Sequence, residues 1–180
     1  MNAPRRACVR FLADHPGLAP VVAGWLLEEW GRPLGVSPAA VQRSIRARLN
    51  RSRLPLSLVA LSGSSPVGTV SLVADGSPIG NGPSCFLSGL FVPPAWRGRG
   101  IGARLCRRAA LAAERFSAPE LFLLTLGRET YYARLGWLSV PDAPLPESLG
   151  VGNASLMRLP LSARSVPRRP TAVDRRDPSG

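Results

Sequence analysis

The sequence contains no lysine: all 23 of its basic side chains, among 180 residues, are arginine. That excludes the nucleoside-triphosphate loop, whose glycines must be followed by Lys and then Ser or Thr. Histidine occurs once, at His15, so a histidine-based metal cluster is excluded and no metal is expected. Cys8, Cys85 and Cys106 are odd in number and unevenly spaced. They suggest neither a disulfide framework nor a zinc site. No uninterrupted apolar run is long enough to cross a bilayer. The opening MNAPRRACVRFLADHPG lacks the sustained apolar core of a signal peptide. The expectation is a cytoplasmic protein without a membrane partner. Aromatic residues are few, with four tryptophans and two tyrosines, which leaves little for base stacking.

What the chain does have is positive charge, a formal +12 at neutral pH. Such an excess favours an anionic partner. The arginines are spread along the chain, and no helix-turn-helix or finger pattern accompanies them, so nucleic acid is not the favoured partner. A hydrophobic content of 45% suffices for one domain with a sizeable core. Eighteen glycines and nineteen prolines predict plentiful loops.

The spacing predicts a first, edge strand over Ala7–Leu12 and a helix over Pro16–Trp30. That helix carries a broad apolar face of Leu18, Val21, Val22, Trp25, Leu26 and Trp30, and stops near Gly31. Ser37 as cap and Pro38 in the first turn open a second helix that runs to about Leu49. Arg43, Arg46, Arg48, Arg51 and Arg53 line its end and exit. His15, just before Pro16-Gly17 at a strand-to-helix junction, reads as a local hydrogen bond or cap rather than a catalytic group. Leu56–Leu61 and Val67–Ala74 predict two strands joined by a loose turn over Ser62–Pro66. A long loop over Asp75–Ser84 leads to a strand over Cys85–Val92. After it come a helix to about Phe116, a strand over Glu120–Leu126, a short helix over Glu129–Leu135, and strands over Trp137–Val140 and Asn153–Leu159. Residues 1–161 are expected to form one domain. Residues 162–180, with five arginines, two aspartates and three prolines, read as a disordered basic tail.

The organising stretch is Leu90–Arg108, LFVPPAWRGRGIGARLCRR. A strand ends at Val92, a Gly-rich turn follows, and a helix begins whose Ile101, Leu105, Ala109 and Ala112 share one face. The first turn of a helix leaves backbone N–H groups without partners, and these can hold a phosphate. Gly98, Gly100 and Gly102 let a bulky anion approach, and Arg97 and Arg99 add charge beside it.

Val92-Pro93-Pro94-Ala95-Trp96-Arg97-Gly98-Arg99-Gly100-Ile101-Gly102 resembles the acyl-coenzyme-A signature of the GCN5-related N-acetyltransferases, with Arg97, Gly100 and Gly102 in its defining places. Downstream, Tyr131-Tyr132-Ala133-Arg134-Leu135-Gly136-Trp137 is similar to the family's late aromatic-Tyr…Leu-Gly-aromatic segment. The likeness covers roughly residues 5–160. It implies an α/β fold: a mixed, splayed, mostly antiparallel central sheet flanked by helices, parting between the strands of Cys85–Val92 and Glu120–Leu126. It implies acetyl-CoA as cofactor, held by the backbone at Leu90, Phe91 and Val92 and by Arg97, Gly98, Arg99, Gly100, Ile101 and Gly102. It implies direct transfer to an amine on a small molecule or peptide, with Tyr132 protonating the leaving thiolate and Tyr131 structural. The two early helices would wall the acceptor site, with Trp25, Glu28, Glu29 and Trp30 within reach of substrate.

Family members often place a carboxylate base on the cofactor strand or the one before it; Cys85–Val92 contains none. Asp75, Glu28, Glu29 and Glu129 are the alternatives, Ser88 could position a water, and an amine of low pKa could arrive already neutral. Two other readings follow: a coenzyme-A-binding module without turnover, supported by the missing carboxylate, and a nucleic-acid-binding protein, supported by the charge. The chain could act as a monomer or a homodimer.

Overall fold

The computed structural model describes residues 7–76, 83–141, 143 and 154–161. The chain begins with strand β1 (Cys8–Phe11), helix α1 (Ala19–Leu26) and helix α2 (Pro38–Ala47). Strands β2 (Leu56–Ser62), β3 (Ser65–Gly76) and β4 (Pro83–Phe91) follow, then helix α3 (Ile101–Ala113) and strand β5 (Glu120–Thr125). Helix α4 (Glu129–Ala133), β6 (Leu138–Ser139) and β7 (Ser155–Pro160) complete it. The element order is the expected one.

All seven strands form one sheet in the order β1-β2-β3-β4-β5-β7-β6, with β1 at an edge. Every pairing is antiparallel except β4 with β5, which is parallel. That parallel contact holds only Cys85 opposite Leu121 and Phe86 opposite Phe122. Beyond these two pairs the strands part, so the sheet splits where expected.

Alternation along the strands divides the core in two. Leu56, Leu58 and Ala60 of β2 face one side, with Val70 and Leu72 of β3, and pack under Ile101, Leu105 and Ala109 of α3. Val59 and Leu61 face the other side, beneath Val22, Ala23 and Leu26 of α1 and Ile45 of α2. Each fully buried leucine contributes about 1.5–3 kcal/mol relative to its exposed state. Ser37 caps α2 as expected, its hydroxyl accepting from Ala40 N at 3.3 Å. Ser117, with φ +55°, ends the helical run after Phe116.

Three local expectations are corrected. The stretch over Pro16–Trp30 is not one α-helix: α1 gives way to a π-helical turn at Leu27–Gly31, closed by Arg32 N donating to Leu27 O at 2.7 Å. A Cβ on Gly31 would lie 2.9 Å from Leu27 Cδ1 and 3.3 Å from Val41 Cγ2, so the widened turn lets the helix end close against α2. The β2–β3 connection is a tight two-residue turn: Ser62 pairs with Ser65, and Gly63 takes φ +62°. Pro66 is tolerated in β3 because it lies beside a register slip near the strand's start, before β3 begins to pair with β4 at Thr69. Finally, β3 runs on through Gly76 and β4 starts at Pro83, so the loop expected over Asp75–Ser84 is shorter at both ends. Residues 77–82 lie outside the described residues, as do the tail expected over 162–180 and most of the 141–152 connection.

Candidate active site

The site is built on β4. Thr69 of β3 lies opposite Phe91, but Ser71 lies opposite Ser88. Two steps of β3 are thus matched by three of β4, leaving one extra residue, and Gly89 absorbs it with φ +60°. That is a glycine-dependent β-bulge, which bends the strand and frees its backbone from the ladder. It lies at the expected end of the strand, immediately before Leu90, Phe91 and Val92. On its other edge this half of β4 has already lost β5. Backbone groups along a parted edge are open to another chain of hydrogen-bonding atoms.

Past Val92, Pro93 and Pro94 stop the ladder and a short helical turn spans Pro94–Trp96. Gly98 and Gly100 then take φ +74° and +72°, and Gly100 caps α3. A Cβ at either position would meet nothing within 4 Å, so space is open in front of the loop. Arg97 closes the loop from within, its Nε donating to Val92 O at 2.9 Å. Arg99 lies over the Trp96 ring, 4.8 Å from its centroid. Both side chains are exposed, and Ile101 is buried as the first core residue of α3. Backbone donors, positive φ and two cations therefore meet at the N-terminus of a 13-residue helix.

Helix α4 sets two tyrosines beside α3. The Tyr131 hydroxyl lies over Gly102, 2.5 Å from where a Cβ would stand. Its ring meets that of Tyr132 edge-on at 5.1 Å, and Tyr132 meets the buried Trp137 edge-on at 5.9 Å. Burial is the main cause raising both phenols, Tyr131 to about 12 and Tyr132 further. Both are therefore neutral hydroxyls, able to donate, at any physiological pH. Burial also raises the thiols of Cys85 and Cys106 to about 12, which leaves neither as a ready nucleophile.

The face of β4 toward α1 is aromatic. The Phe91 ring sits 5.5 Å from that of Trp25 and 6.4 Å, edge-on, from that of Trp30. Trp25 is half-buried against the α1–α2 core, whereas Trp30 stays exposed. The π-helical turn presents Glu28 and Glu29 to solvent, Glu28 pairing with Arg32 at 2.7 Å. Glu129 opens α4; its own backbone N–H and the Ser155 hydroxyl hold its carboxyl below the usual range, which weakens it as a base. Asp75 lies in β3, its side chain outside the described residues. His15 joins β1 to α1 through its backbone, accepting from Leu18 N and donating to Leu12 O, both at 2.9 Å. Thr125 is buried at the end of β5.

One polar group escaped the sequence reading, which took Arg48 as one of several arginines along a helix end. Its Nη1 donates to Ser71 Oγ at 3.1 Å, and Ser71 Oγ lies 2.7 Å from Ser57 Oγ. Both serines are buried on the α1–α2 face of the sheet. The available signal was two serines at matched positions in otherwise apolar strands.

A sheet split between two parallel strands, a glycine bulge on one of them and a Gly-rich turn onto a helix N-terminus together define the acyl-CoA N-acyltransferase fold. Residues 20–137 match the sequence model of the Acetyltransferase (GNAT) family, and the chain belongs to that family. Solved structures agree in fold. An aminoglycoside 6′-N-acetyltransferase complexed with coenzyme A is 16% identical, with a TM-score of 0.66 over 85% of this chain and 96% of that one. The Escherichia coli protein YhbS, in complex with CoA, is 17% identical, with a TM-score of 0.62 over 90% of this chain and 85% of that one. A GNAT-family acetyltransferase from Staphylococcus aureus Mu50 is 14% identical, with a TM-score of 0.62 over 86% of this chain and 99% of that one. No curated protein matches the sequence.

Proposed function

We propose that this protein transfers an acetyl group from acetyl-CoA directly to a primary amine. The observation that carries this reading is the course of β4: a bulged, half-unpaired strand that runs into the Gly98–Gly102 turn at the head of α3. The open space before Gly98 and Gly100 fits a pyrophosphate, and the amides opening α3 point the right dipole at it. The group nearest Gly102 is the hydroxyl end of Tyr131, and such an end moves readily. When bound, acetyl-CoA supplies an acyl group already activated as a thioester.

The chain's own residues then have three tasks. Backbone N–H groups at the Gly89–Val92 bulge hold the acyl carbonyl oxygen and favour the negative charge that develops on it. The aromatic wall of Trp25, Trp30 and Phe91 confines the acceptor beside that carbonyl. A tyrosine hydroxyl on α4 gives its proton to the departing sulfur, and the proton the amine sheds on becoming an amide returns through solvent to the phenolate; we assign this to Tyr132, with Tyr131 at the mouth above Gly102. Attack is direct: Cys85 and Cys106 are buried, neutral thiols, and Cys8 lies on the edge strand β1, three strands from β4.

The test follows thiol release from acetyl-CoA over a panel of amines, with cofactor binding measured separately by calorimetry. Wild type is expected to bind acetyl-CoA and to release thiol only with a suitable amine. Tyr132→Phe is expected to lower kcat about 10²-fold or more with cofactor affinity kept; an equal fall in Tyr131→Phe alone would move the proton donor to Tyr131. Binding without release across the panel would favour a coenzyme-A-binding module, and absence of binding would refute the reading.

A further inference from the structure

The α1–α2 face of the sheet carries a half-buried cation, Arg48, that acetyl transfer does not use. We propose that the acceptor is an amine bearing a nearby carboxylate, such as a free amino acid, and that Arg48, steadied by Ser71 and Ser57, holds that carboxylate. The proposal rests on the acetyl-transfer reading above and names its substrate class.

Arg48 ends α2 and turns its half-buried guanidinium onto the sheet, where its one hydrogen bond among the described residues goes to Ser71 Oγ. A guanidinium carries five N–H donors in a planar fork. Among the described residues no carboxylate pairs with it: the ion pairs join Arg32 to Glu28, Arg51 to Asp14 and Arg158 to Glu120. Covering a cation without a counter-charge is costly, and an apolar side chain would fasten α2 to the sheet at less cost. The fork instead matches a carboxylate, which it grips through two parallel bonds. The charge count points the same way. Neighbouring Arg51 is paired with Asp14, whereas Arg48, half-buried on the sheet, has no counter-charge among the described residues and is suited to balance one negative charge. A phosphate dianion would ask for more.

The position is as telling as the charge. Ser57, Ser71 and Ser88 lie in register on β2, β3 and β4, and Gly89 of the bulge follows Ser88 directly. Neighbouring strands are about 5 Å apart. A carboxylate on Arg48 above Ser71 therefore lies about one strand from the acyl-holding bulge; the α-amine, two bonds from that carboxylate, covers part of the gap, and its approach of about 3–3.5 Å to the acyl carbon covers the rest. Trp25, Trp30 and Phe91 border the same strip one row along and can take the substituent.

The experiment uses the full chain saturated with coenzyme A. Calorimetry compares leucine, phenylalanine, serine and glutamate with their α-carboxamides, which keep the side chain and lose the α-carboxylate charge; because amidation also lowers the amine's pKa, rates are compared per neutral amine. Thiol release from acetyl-CoA is followed with the same pairs. At least one acid is expected to bind, and to react in kcat/KM, tenfold or more better than its amide. Arg48→Gln is expected to raise KM for that acid at least tenfold while moving its kcat, the amide KM and acetyl-CoA affinity less than twofold. Arg48→Lys should restore part of the loss, which a purely structural arginine would not show. Equal binding of every acid and its amide overturns the proposal, and so does an Arg48→Gln variant that weakens both alike. If Arg48→Gln does not fold, the wild-type acid-against-amide comparison decides by itself. Acetyl-CoA bound with no preference for acids leaves the transfer reading standing and refutes only this one; failure to bind acetyl-CoA refutes both.

Discussion

Replacing Gly89 by alanine separates the fold of β4 from its chemistry. At φ +60° an L-residue costs about 1–2 kcal/mol that glycine does not. The new methyl would stand 3.3 Å from Leu26 Cδ2, tight but against the flexible end of a leucine. A loss of about 1–2 kcal/mol lowers Tm by about 2–8 °C in a chain of this length. It leaves the protein folded at assay temperature if its stability is in the ordinary range of about 5–15 kcal/mol. Activity should fall much further. If the bulge amides hold the acyl oxygen, letting the bulge relax displaces a donor, and losing one such donor costs about 10²–10³ in kcat. Acetyl-CoA affinity should stay within a few-fold, because the Gly98–Gly102 turn is untouched. Gly24 of α1 is the control: its Cβ would meet nothing within 4 Å, so Gly24→Ala should raise stability by up to about 1 kcal/mol and leave kcat alone. Calorimetric Tm, calorimetric Kd and steady-state thiol release are read on all three proteins. An unshifted Tm in Gly89→Ala would refute the assigned backbone conformation. A shifted Tm with kcat within threefold of wild type would leave the strain argument standing and refute the catalytic one.

Arg97→Ala removes a charge beside the helix N-terminus and the Nε bond that closes the loop on Val92 O. A charge-assisted bond contributes about 1.5–3 kcal/mol, so coenzyme A affinity by calorimetry should fall about 10–150-fold, and more at low salt than at high. Thiol labelling at pH 8 should modify Cys8 first, on the edge strand, and leave Cys85 and Cys106 unmodified until the protein unfolds; rapid labelling of Cys106 in the folded protein would contradict its burial. The sign of the linkage follows from the same burial. Folding raises these two thiols from 9.0 to about 12, so the stability they contribute is full below pH 9 and lost as pH rises toward 12. Alkaline unfolding should accordingly be delayed in Cys106→Ala relative to wild type when each is referred to its own stability at pH 7.

Much of this was legible from local chemistry. Ser37-Pro38 announced α2, and Ile101, Leu105, Ala109 and Ala112 share a face of α3 because one helical period brings them together. The glycine turn was legible because positive φ is a property of single residues. The π-helical turn at Leu27–Gly31 was not, since its apolar stripe looks like that of an α-helix; the close seating of Gly31 on Val41 of α2 accompanies it. The bulge had a local sign, an isolated Gly89 inside a strand pattern. The Arg48–Ser71–Ser57 cluster had almost none, because its bonds join positions 23 and 14 residues apart and exist only after α2 has docked on the sheet.

The absence of a carboxylate on β4 and the presence of Arg48 belong to one arrangement. A carboxylate at Ser88 would stand beside the acid group that Arg48 is proposed to hold, and like charges that close repel. The usual need for such a base is to remove a proton from the attacking amine. A lysine-like amine, with a pKa of about 10.4, has that need at neutral pH; an α-amine, near 8 when no free carboxylate adjoins it, has far less. A free amino acid's own carboxylate raises its amine, and pairing that carboxylate with Arg48 brings the amine back down. The pH profile tests the whole arrangement. For an α-amino acid, kcat/KM should rise with pH along the neutral fraction of the amine and then level. No second rise near pH 6–7 is expected, the range of an enzyme histidine or raised carboxylate. The only histidine, His15, is bonded through its backbone at the β1–α1 junction. At the alkaline end, activity should fall only as the half-buried Tyr132 loses its proton or ionisation of the buried thiols unsettles the fold, both above pH 9. Changing the acceptor to one with a less basic amine should shift the rising limb by the change in amine pKa. A limb that stays fixed while the acceptor changes would locate the titrating group on the enzyme, and the account of the missing base would be wrong.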